Sequence, residues 1–171
     1  MKISIQSHAT AQRYDMDTAY RMIKEAGFEA IDWALDQQWQ DGAQRLCWNR
    51  PSIESGTSFE QNSIYNEDID KIIAHYQPEI DTIKKYGLTI TQAHSPFFNY
   101  SSRSLPFLNQ AIETHKKALK LCAHAGCPRL VIHGFSRQVY ETEFTDSDIQ
   151  IANMKMYKEL IPTALETGVM I

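Results

Sequence analysis

Two histidines follow a glycine at the same interval in two separate parts of the chain. His94 is the seventh residue after Gly87, and His133 is the seventh residue after Gly126. In both places the glycine ends an amphipathic pattern and an apolar run follows, so each histidine falls at the end of a predicted strand. Equal intervals predict that the two imidazoles lie at the same height, at the carboxyl ends of neighbouring strands. One histidine at a strand end is often structural, but two at one interval favour a binding site.

Further polar residues fall on the same predicted strand face as the two histidines. Side chains alternate between the faces of a strand, so the fifth and seventh residues after each glycine point the same way. Asp32 and Gln92 hold the fifth position in two of the segments, and Gln6 and His8 are expected to share this face in the opening strand. Polar groups on an enclosed face are costly unless they are hydrogen-bonded or used. The resulting candidate substrate-binding residues are Gln6, His8, Asp32, Gln92, His94 and His133.

Several residues also have a structural interpretation, as an alternative to a place in a binding site. Asp32 would serve as well as a helix cap or as the partner of a nearby lysine or arginine. Cys122 and Cys127 are expected to be small buried side chains. The sixth position after each glycine should face the helices; it holds Trp33, Ala93 and Ile132. Three histidines within helical patterns are expected to be surface or structural residues: His75, His115 and His124.

A repeat of helix, glycine and strand positions the candidate residues. Helical patterns at 19–26, 80–86, 118–125 and 157–167 each end at a glycine, and apolar runs follow at 28–35, 88–94, 127–133 and 169–171. An opening strand is predicted at 2–6. Strict alternation of strands and helices implies right-handed crossovers and a parallel sheet covered by helices, that is, an α/β fold. Pro162 is expected to kink the last helix or to begin a second one.

The connections from strand to helix are long, whereas those from helix to strand are tight turns. The long ones run roughly over 36–66, 95–104 and 134–145. Ligands bind at the carboxyl ends of the strands in parallel α/β folds, so a ligand is expected beside these connections. The 36–66 connection shows no strand or helical periodicity, and disorder is one explanation for so long a loop. Its aromatic residues favour a lid instead: Trp39, Trp48, Phe59 and Tyr65.

Composition argues against several classes of protein. The chain has 171 residues and a formal net charge of −4, without a basic patch that would follow a phosphate backbone, so nucleic acid is not an expected partner. It has no apolar run of about 18 residues and no apolar signal region at its start, so no membrane segment is expected. Three cysteines without a CxxC pair argue against a disulfide framework and against a cysteine zinc site. These features predict a cytoplasmic protein.

Three segments resemble the xylose isomerase-like TIM barrels, the superfamily of sugar and sugar-phosphate isomerases and epimerases and of the apurinic endonucleases. They lie at the second, third and fourth predicted strands and read AGFEAIDW at 26–33, QAHSPF at 92–97 and LVIHG at 130–134. The last residues, 160–171, are similar to the segment that leads into strand five of that family. The resemblance covers nearly the whole chain. It implies a single domain over residues 1–171, the N-terminal half of such a barrel, with about four βα units and the start of strand five.

The resemblance also implies an activity, namely that of a metal-dependent sugar or sugar-phosphate isomerase or epimerase of carbohydrate metabolism. Enzymes of this kind transfer a proton next to a carbonyl group, with manganese, zinc, magnesium or cobalt held on strands five to eight. Most metal ligands therefore fall outside this chain, and neither a metal ligand nor a catalytic residue is assigned within it. His94, His133 and Asp32 would contact substrate hydroxyl groups, although Asp32 stands where many relatives carry the longer Glu. In the apurinic endonuclease branch the two histidines would bind zinc instead, and the net charge of −4 argues against that branch.

The length of the chain indicates whether it contains a whole barrel. A closed eight-unit barrel takes about 250 residues, whereas this chain has 171. We therefore expect an incomplete barrel that is not competent in catalysis by itself. Its expected partners are a sugar or sugar phosphate and either a second copy of the chain or a C-terminal half. The structural alternative is a non-catalytic half-barrel that self-associates, because an open parallel sheet exposes its edges.

Overall fold

The computed structural model describes residues 2–11, 13–35, 37–40, 43–46, 64–96, 105–135 and 145–171. The strands in these ranges are β1 (Ser4–Gln6), β2 (Ala30–Ala34), β3 (Gln37–Gln40), β4 (Ala43–Leu46), β5 (Thr89–His94) and β6 (Leu130–Val131). The helices are α1 (His8–Ala11), α2 (Met16–Glu25), α3 (Ile69–Lys85), α4 (Leu105–Ala125) and α5 (Asp146–Thr167), and a 3-10 turn spans Ile64–Asn66. None of these helices is long and apolar enough to cross a membrane.

Four of the strands form one parallel sheet in the order β1, β2, β5, β6. Each neighbouring pair is parallel, and the chain passes through a helix between successive strands of the sheet. Beyond β6, a parallel bridge joins Arg129 to Met170 and starts a fifth position in the sheet. The predicted α/β fold of parallel βα units is therefore confirmed.

The glycines of the repeat end their helices in the left-handed conformation. The φ angle is +63° at Gly87 and +76° at Gly126, and a Cβ atom built at either position would meet nothing within 4 Å. The requirement is therefore one of backbone torsion rather than of space, and glycine meets it without a steric penalty. Each tight turn delivers the chain directly into the next strand, which fixes where that strand ends.

The core lies between the sheet and its helices, on the face predicted for the sixth-position residues. Trp33 and Ala93 are fully buried, and the Trp33 ring meets Tyr76 on α3 edge to face, with 5.5 Å between ring centroids. A second apolar cluster, which includes Met156, joins α4 to α5, and Ile132 packs against both clusters. Because one face of each strand is committed to this core, the alternate side chains are directed to the opposite face.

The 36–66 connection contains regular structure that its sequence did not indicate. β3 and β4 form an antiparallel hairpin in which Trp39 pairs with Gln44. Both strands are rich in polar residues, so the alternation of apolar side chains that predicts a strand is missing. Tyr65 is buried, and its hydroxyl donates a hydrogen bond to the Leu35 carbonyl at 3.2 Å, so its expected place in a lid is wrong. Trp48 and Phe59 lie outside the described residues.

Pro162 lies within α5, which runs as one helix to Thr167, so the expectation that a second helix begins there is wrong. Pro78 occupies a similar place within α3. A proline cannot donate a hydrogen bond to the carbonyl four residues earlier. Both prolines are on exposed positions, where solvent can bond that carbonyl instead.

Candidate substrate-binding site

Asp32, Gln92 and His94 form one hydrogen-bonded network at the carboxyl ends of β2 and β5. Asp32 Oδ1 lies 2.8 Å from His94 Nδ1, and Asp32 Oδ2 accepts a hydrogen bond from Gln92 Nε2 at 2.8 Å. Asp32 is 14% exposed and His94 is 24% exposed, so the network is shielded but reachable from solvent. The structure brings these three side chains together on one face, as their positions in the repeat predict.

A bulge in β5 makes this network possible. Ile31 pairs with Ile90, but the next residue, Asp32, pairs with Gln92, so β5 contributes one additional residue at this point. In a regular strand Ile90 and Gln92 would share a face. The bulge interrupts this alternation, so that Ile90 is buried in the core while Gln92 binds Asp32.

The carboxylate determines where His94 carries its proton. An ionised carboxylate only accepts hydrogen bonds, so the proton between Asp32 and His94 lies on Nδ1. Neutral His94 is then the Nδ1–H tautomer, and its Nε2 carries the lone pair. A carboxylate bonded to one nitrogen also fixes the ring orientation. Nε2 of His94 is therefore suited to accept a hydrogen bond from a hydroxyl group.

His133 stacks on His94, although it lies further along its strand than predicted. The two ring centroids are 5.5 Å apart, and the ring planes are inclined by 23°. His94 pairs with Val131, two residues before His133, so the prediction that the two histidines lie at equal height is wrong. The reason is the stagger between neighbouring parallel strands, which the count of residues from a glycine does not include. His133 follows the end of β6, is exposed, and still places its ring against that of His94.

Gln6 and His8 have different places in the structure. Gln6 pairs with Asp32 in the ladder between β1 and β2, and it is exposed beside the network. His8 is not on the strand, because β1 ends at Gln6 and His8 is the first residue of α1. The expectation that strand alternation places His8 on the shared face is therefore wrong. The side chain of His8 lies outside the described part of the chain.

A buried serine and histidine lie directly behind the network. Ser95 follows His94, and its Oγ is 2.6 Å from Nδ1 of His115 on α4. Burial lowers the pKa of His115 to about 3, so this imidazole is neutral at physiological pH and has a structural role. His115 was expected to be a surface or structural residue, and the structure shows the second, but its contact with Ser95 was not predicted, although His115 lies between Ile112 and Leu119 at the spacing of a buried helix face. The sequence around Ser95 shows no pattern that predicts this contact.

A second buried polar pair links α2 to α3 on the helix side of the sheet. The Tyr20 hydroxyl donates a hydrogen bond to Glu79 Oε1 at 2.5 Å, and both residues are buried. Burial, and then the neighbouring Glu79 carboxylate, raise the pKa of Tyr20 well above its ordinary value. This pair holds two helices together and is not part of the candidate site.

The described residues do not fit the divalent metal that the resemblance implies. A protein metal site needs about three or more converging donor groups. No group of three or more His, Cys, Asp or Glu side chains that could hold a metal ion is found within the described ranges. In particular, Asp32 uses both oxygens within the sheet, and Nδ1 of His94 is bonded to it.

Solved structures share this architecture over about half of their length. No family model matches the sequence, and no curated protein matches it. A D-allulose 3-epimerase from Methylomonas sp. matches at TM-score 0.61 and 13% identity, over 99% of this chain and 49% of that one. A sugar phosphate isomerase/epimerase from Parabacteroides distasonis ATCC 8503 matches at TM-score 0.58 and 15% identity, over 98% and 49%. The IOLI protein with a binding zinc atom matches at TM-score 0.55 and 13% identity, over 99% and 49%.

These structural neighbours match nearly the whole of this chain. The chain spans about half the length of each of them. The likeness, at such low identity, is one of fold. The chain folds as half of a TIM barrel.

Proposed function

We propose that this chain carries the substrate-binding part of a metal-dependent sugar or sugar-phosphate isomerase or epimerase. The observation that supports it most is the network of Asp32, Gln92 and His94 with His133 stacked upon it. It lies at the carboxyl ends of parallel strands, where barrels of this type bind their ligands. The solved structures of similar fold include sugar isomerases and epimerases.

The donors and acceptors of the network suit neighbouring hydroxyl groups. A sugar hydroxyl both donates and accepts hydrogen bonds, and adjacent ones lie a few ångströms apart. Nε2 of His94 accepts from one hydroxyl while Asp32 holds the ring in place. The His133 ring, 5.5 Å from that of His94, offers a second imidazole to the next hydroxyl. Gln92 holds the Asp32 carboxylate in place, and Asp32 in turn holds the ring of His94. In this role the residues of the network orient the sugar.

The chemical step itself requires groups beyond these. Both reactions remove a proton from the carbon next to a carbonyl group. Isomerisation returns a proton to the neighbouring carbon, whereas epimerisation returns one to the opposite face of the same carbon. This needs an acid–base group and stabilisation of the charge that develops on oxygen. In this proposal the acid–base carboxylates and the manganese, zinc, magnesium or cobalt ion are held by residues other than those described. Asp32, His94 and His133 determine which hydroxyl groups face that centre.

A cytoplasmic location belongs to the same proposal. Cys122 and Cys127 are buried and carry free thiols. Two neighbouring thiols could pair as a disulfide in an oxidising compartment. Free thiols of this kind are typical of a reducing compartment.

Calorimetric titration of the chain with D-allulose, D-fructose and D-fructose 6-phosphate tests the binding role. We expect one of these sugars to bind, and His94→Ala and His133→Ala each to weaken its affinity about tenfold, the equivalent of one lost hydrogen bond. His124→Ala, at an exposed histidine on α4, is the matched control and should bind as the parent does. A DNA duplex with an abasic-site analogue forms the competing arm. Binding of that duplex without binding of any sugar would favour the endonuclease branch and overturn the proposal.

A further inference from the structure

The helices α2, α3 and α4 end in the same kind of turn, and the third of these turns holds two cysteines. In each turn the residue after the glycine donates its main-chain N–H to the carbonyl group five residues earlier. The donor and acceptor pairs are Phe28 with Ile23 at 3.3 Å, Leu88 with Ile83 at 3.1 Å and Cys127 with Cys122 at 2.9 Å. This is the Schellman motif, in which the side chains at the two positions commonly pack on each other.

The first two turns use this side-chain contact for the core, whereas the third turn places two thiols there. Ile83 and Leu88 are buried in the main core cluster, as is Ile23. Cys122 and Cys127 belong to the same cluster and are 0% and 1% exposed. A buried cysteine packs like a small hydrophobic residue, so the pair serves the turn as the apolar pairs do. It differs from them in bringing together two groups that can react with each other.

The backbone of the turn suits a bond between the two sulfur atoms. A disulfide needs Cα atoms about 4.4–6.8 Å apart and side chains that point toward each other. The main-chain hydrogen bond of 2.9 Å joins Cys127 directly to Cys122 and so keeps their Cα atoms close to this range. The two thiols are also hydrogen-bonded to each other. The sulfur atoms can therefore be joined without a large movement of the chain.

The two thiols differ in how readily they lose a proton. The hydrogen bond with Cys122 lowers the pKa of the Cys127 thiol, although burial opposes this effect. The same hydrogen bond, and then burial, raise the pKa of Cys122 well above its ordinary value. The nucleophile in cysteine chemistry is the thiolate rather than the thiol. Cys127 is therefore the sulfur that reacts first, and Cys122 is the thiol beside it.

The pair lies directly beneath the surface of the molecule. Gly126 and Pro128, on either side of Cys127, are exposed, and so is Ala123 next to Cys122. The end of a helix opens locally at a lower cost in free energy than the strands of a core do. A small oxidant such as hydrogen peroxide can therefore reach Cys127, whereas the folded turn excludes a bulky one.

We propose that Cys122 and Cys127 form a peroxide-sensitive thiol pair that closes reversibly into a disulfide. The Cys127 thiolate attacks one oxygen of hydrogen peroxide, the O–O bond breaks, and hydroxide leaves as Cys127 becomes a sulfenic acid. The Cys122 sulfur then attacks the Cys127 sulfur, the S–O bond breaks, and the hydroxyl group leaves with the Cys122 proton as water. The two sulfurs together lose two electrons, and the peroxide is reduced to two molecules of water. A dithiol reductant reverses the reaction by thiol–disulfide exchange.

The disulfide ties the end of α4 to the chain that enters β6. In the reduced pair Cys127 Sγ donates a hydrogen bond to the Arg129 carbonyl at 3.2 Å, and the same carbonyl accepts a bond from the Ala93 amide at 2.9 Å. Oxidation removes the thiol proton but leaves the bond between the two main chains. The ladder that carries His94 is therefore kept, and the thiol pair does not depend on sugar binding.

Peptide mapping of the whole chain after treatment with hydrogen peroxide tests this pair. Trypsin cleaves after Lys120 and Arg129, so both cysteines are released in the single peptide 121–129. Free thiols are blocked with an alkylating reagent before digestion. We expect the oxidised peptide to carry no alkyl group and to be about 2 Da lighter than the reduced peptide, the mass of two hydrogen atoms. Treatment with dithiothreitol before alkylation should restore two reactive thiols.

The variants Cys122→Ser and Cys127→Ser separate the two roles. Dimedone labels sulfenic acids, and Cys122→Ser should accumulate the label on Cys127 because the second thiol is missing. Cys127→Ser should take up about tenfold less label on Cys122, whose pKa is raised. Cys47→Ser is the matched control and should form the disulfide as the parent does. Far-ultraviolet circular dichroism checks that each variant is folded, and Cys122→Ala and Cys127→Ala replace any variant that is not.

Several results would overturn the thiol pair. A peptide 121–129 that keeps both thiols while peroxide oxidises Cys47 shows that the buried pair does not react. A peptide that gains oxygen without losing two hydrogen atoms shows that the two sulfurs do not meet. A cross-link from either cysteine to Cys47 contradicts the assigned partner, and equal dimedone labelling of the two serine variants contradicts the order of attack.

Discussion

Asp32 on β2 and His94 on β5 are joined by a contact of 2.8 Å between Oδ1 and Nδ1, across two neighbouring strands of the parallel sheet. The contact depends on the bulge that sets Gln92, rather than Thr91, opposite Asp32. It uses one oxygen of the carboxylate, and Gln92 uses the other. A histidine held in this way has a defined tautomer and a fixed ring direction, which are the properties needed to orient a substrate hydroxyl.

Asp32→Ala is expected to change the tautomer of His94. Without the carboxylate nothing in the network favours a proton on Nδ1, so neutral His94 should shift toward the Nε2–H form that free histidine prefers. Imidazole ¹⁵N spectra distinguish the two tautomers directly. Asp68→Ala, at an exposed aspartate before α3, should leave the spectrum of His94 as it is. An unchanged His94 tautomer in Asp32→Ala would contradict the role assigned to the carboxylate.

Tyr20→Phe is expected to lower the free energy of unfolding by about 1–3 kcal/mol, because the buried Glu79 carboxylate loses a hydroxyl donor. Tyr14→Phe removes the same atom from a tyrosine that is 43% exposed and should change stability by less than about 0.5 kcal/mol. Urea unfolding followed by circular dichroism measures both. Equal stability of the two variants would show that the bond between Tyr20 and Glu79 contributes nothing.

The repeat in the sequence predicted the sheet and the network of Asp32, Gln92 and His94. It could do so because each of these predictions depends only on neighbouring residues in the sequence. Gly87 fixes a helix end, and the count from there to Gln92 and His94 depends on the backbone of one strand. His133 was misplaced in height because its position relative to His94 depends on the stagger between two strands. The bulge in β5 has no mark in the residue types, since Thr91 suits a regular strand equally well. His115 was expected to be a surface or structural residue, and its position on an apolar helix stripe favours the buried, structural place that it has.

Gly87→Ala is expected to destabilise the chain by about 1–2 kcal/mol, which is the penalty of the left-handed conformation for a residue with a Cβ atom. Gly87→Asn should cost less, because asparagine tolerates this region better. A Cβ atom at this position meets nothing within 4 Å, so neither effect can come from a clash. Thermal unfolding of the two variants measures the difference. Alanine and asparagine with equal effects would argue against a torsional origin.

Stability should fall as the pH is lowered from about 6.5 toward 3, in part because of His115. Its pKa is about 3 in the folded chain, against 6.5 for an ordinary histidine. Between these values the unfolded chain binds the proton and the folded chain does not, so the free energy of unfolding falls by about 1 kcal/mol per pH unit. His115→Gln removes this titration and should show a shallower decline between pH 6 and about 4.5. Parallel pH profiles of the two proteins would contradict the burial of a neutral imidazole beside Ser95.

The proposed binding of a sugar by His94 and His133 is tested most directly by imidazole ¹⁵N spectra of the histidine-labelled chain during titration with D-allulose. We expect the resonances of both histidines to move along one saturating curve, while His124, which bonds to Gln77 on the far helices, stays in place. His133→Ala should shift the curve of His94 to about tenfold higher sugar concentration. Resonances of His94 and His133 that do not move at a saturating concentration of this sugar, or of D-fructose and its 6-phosphate, would contradict the assignment of this site.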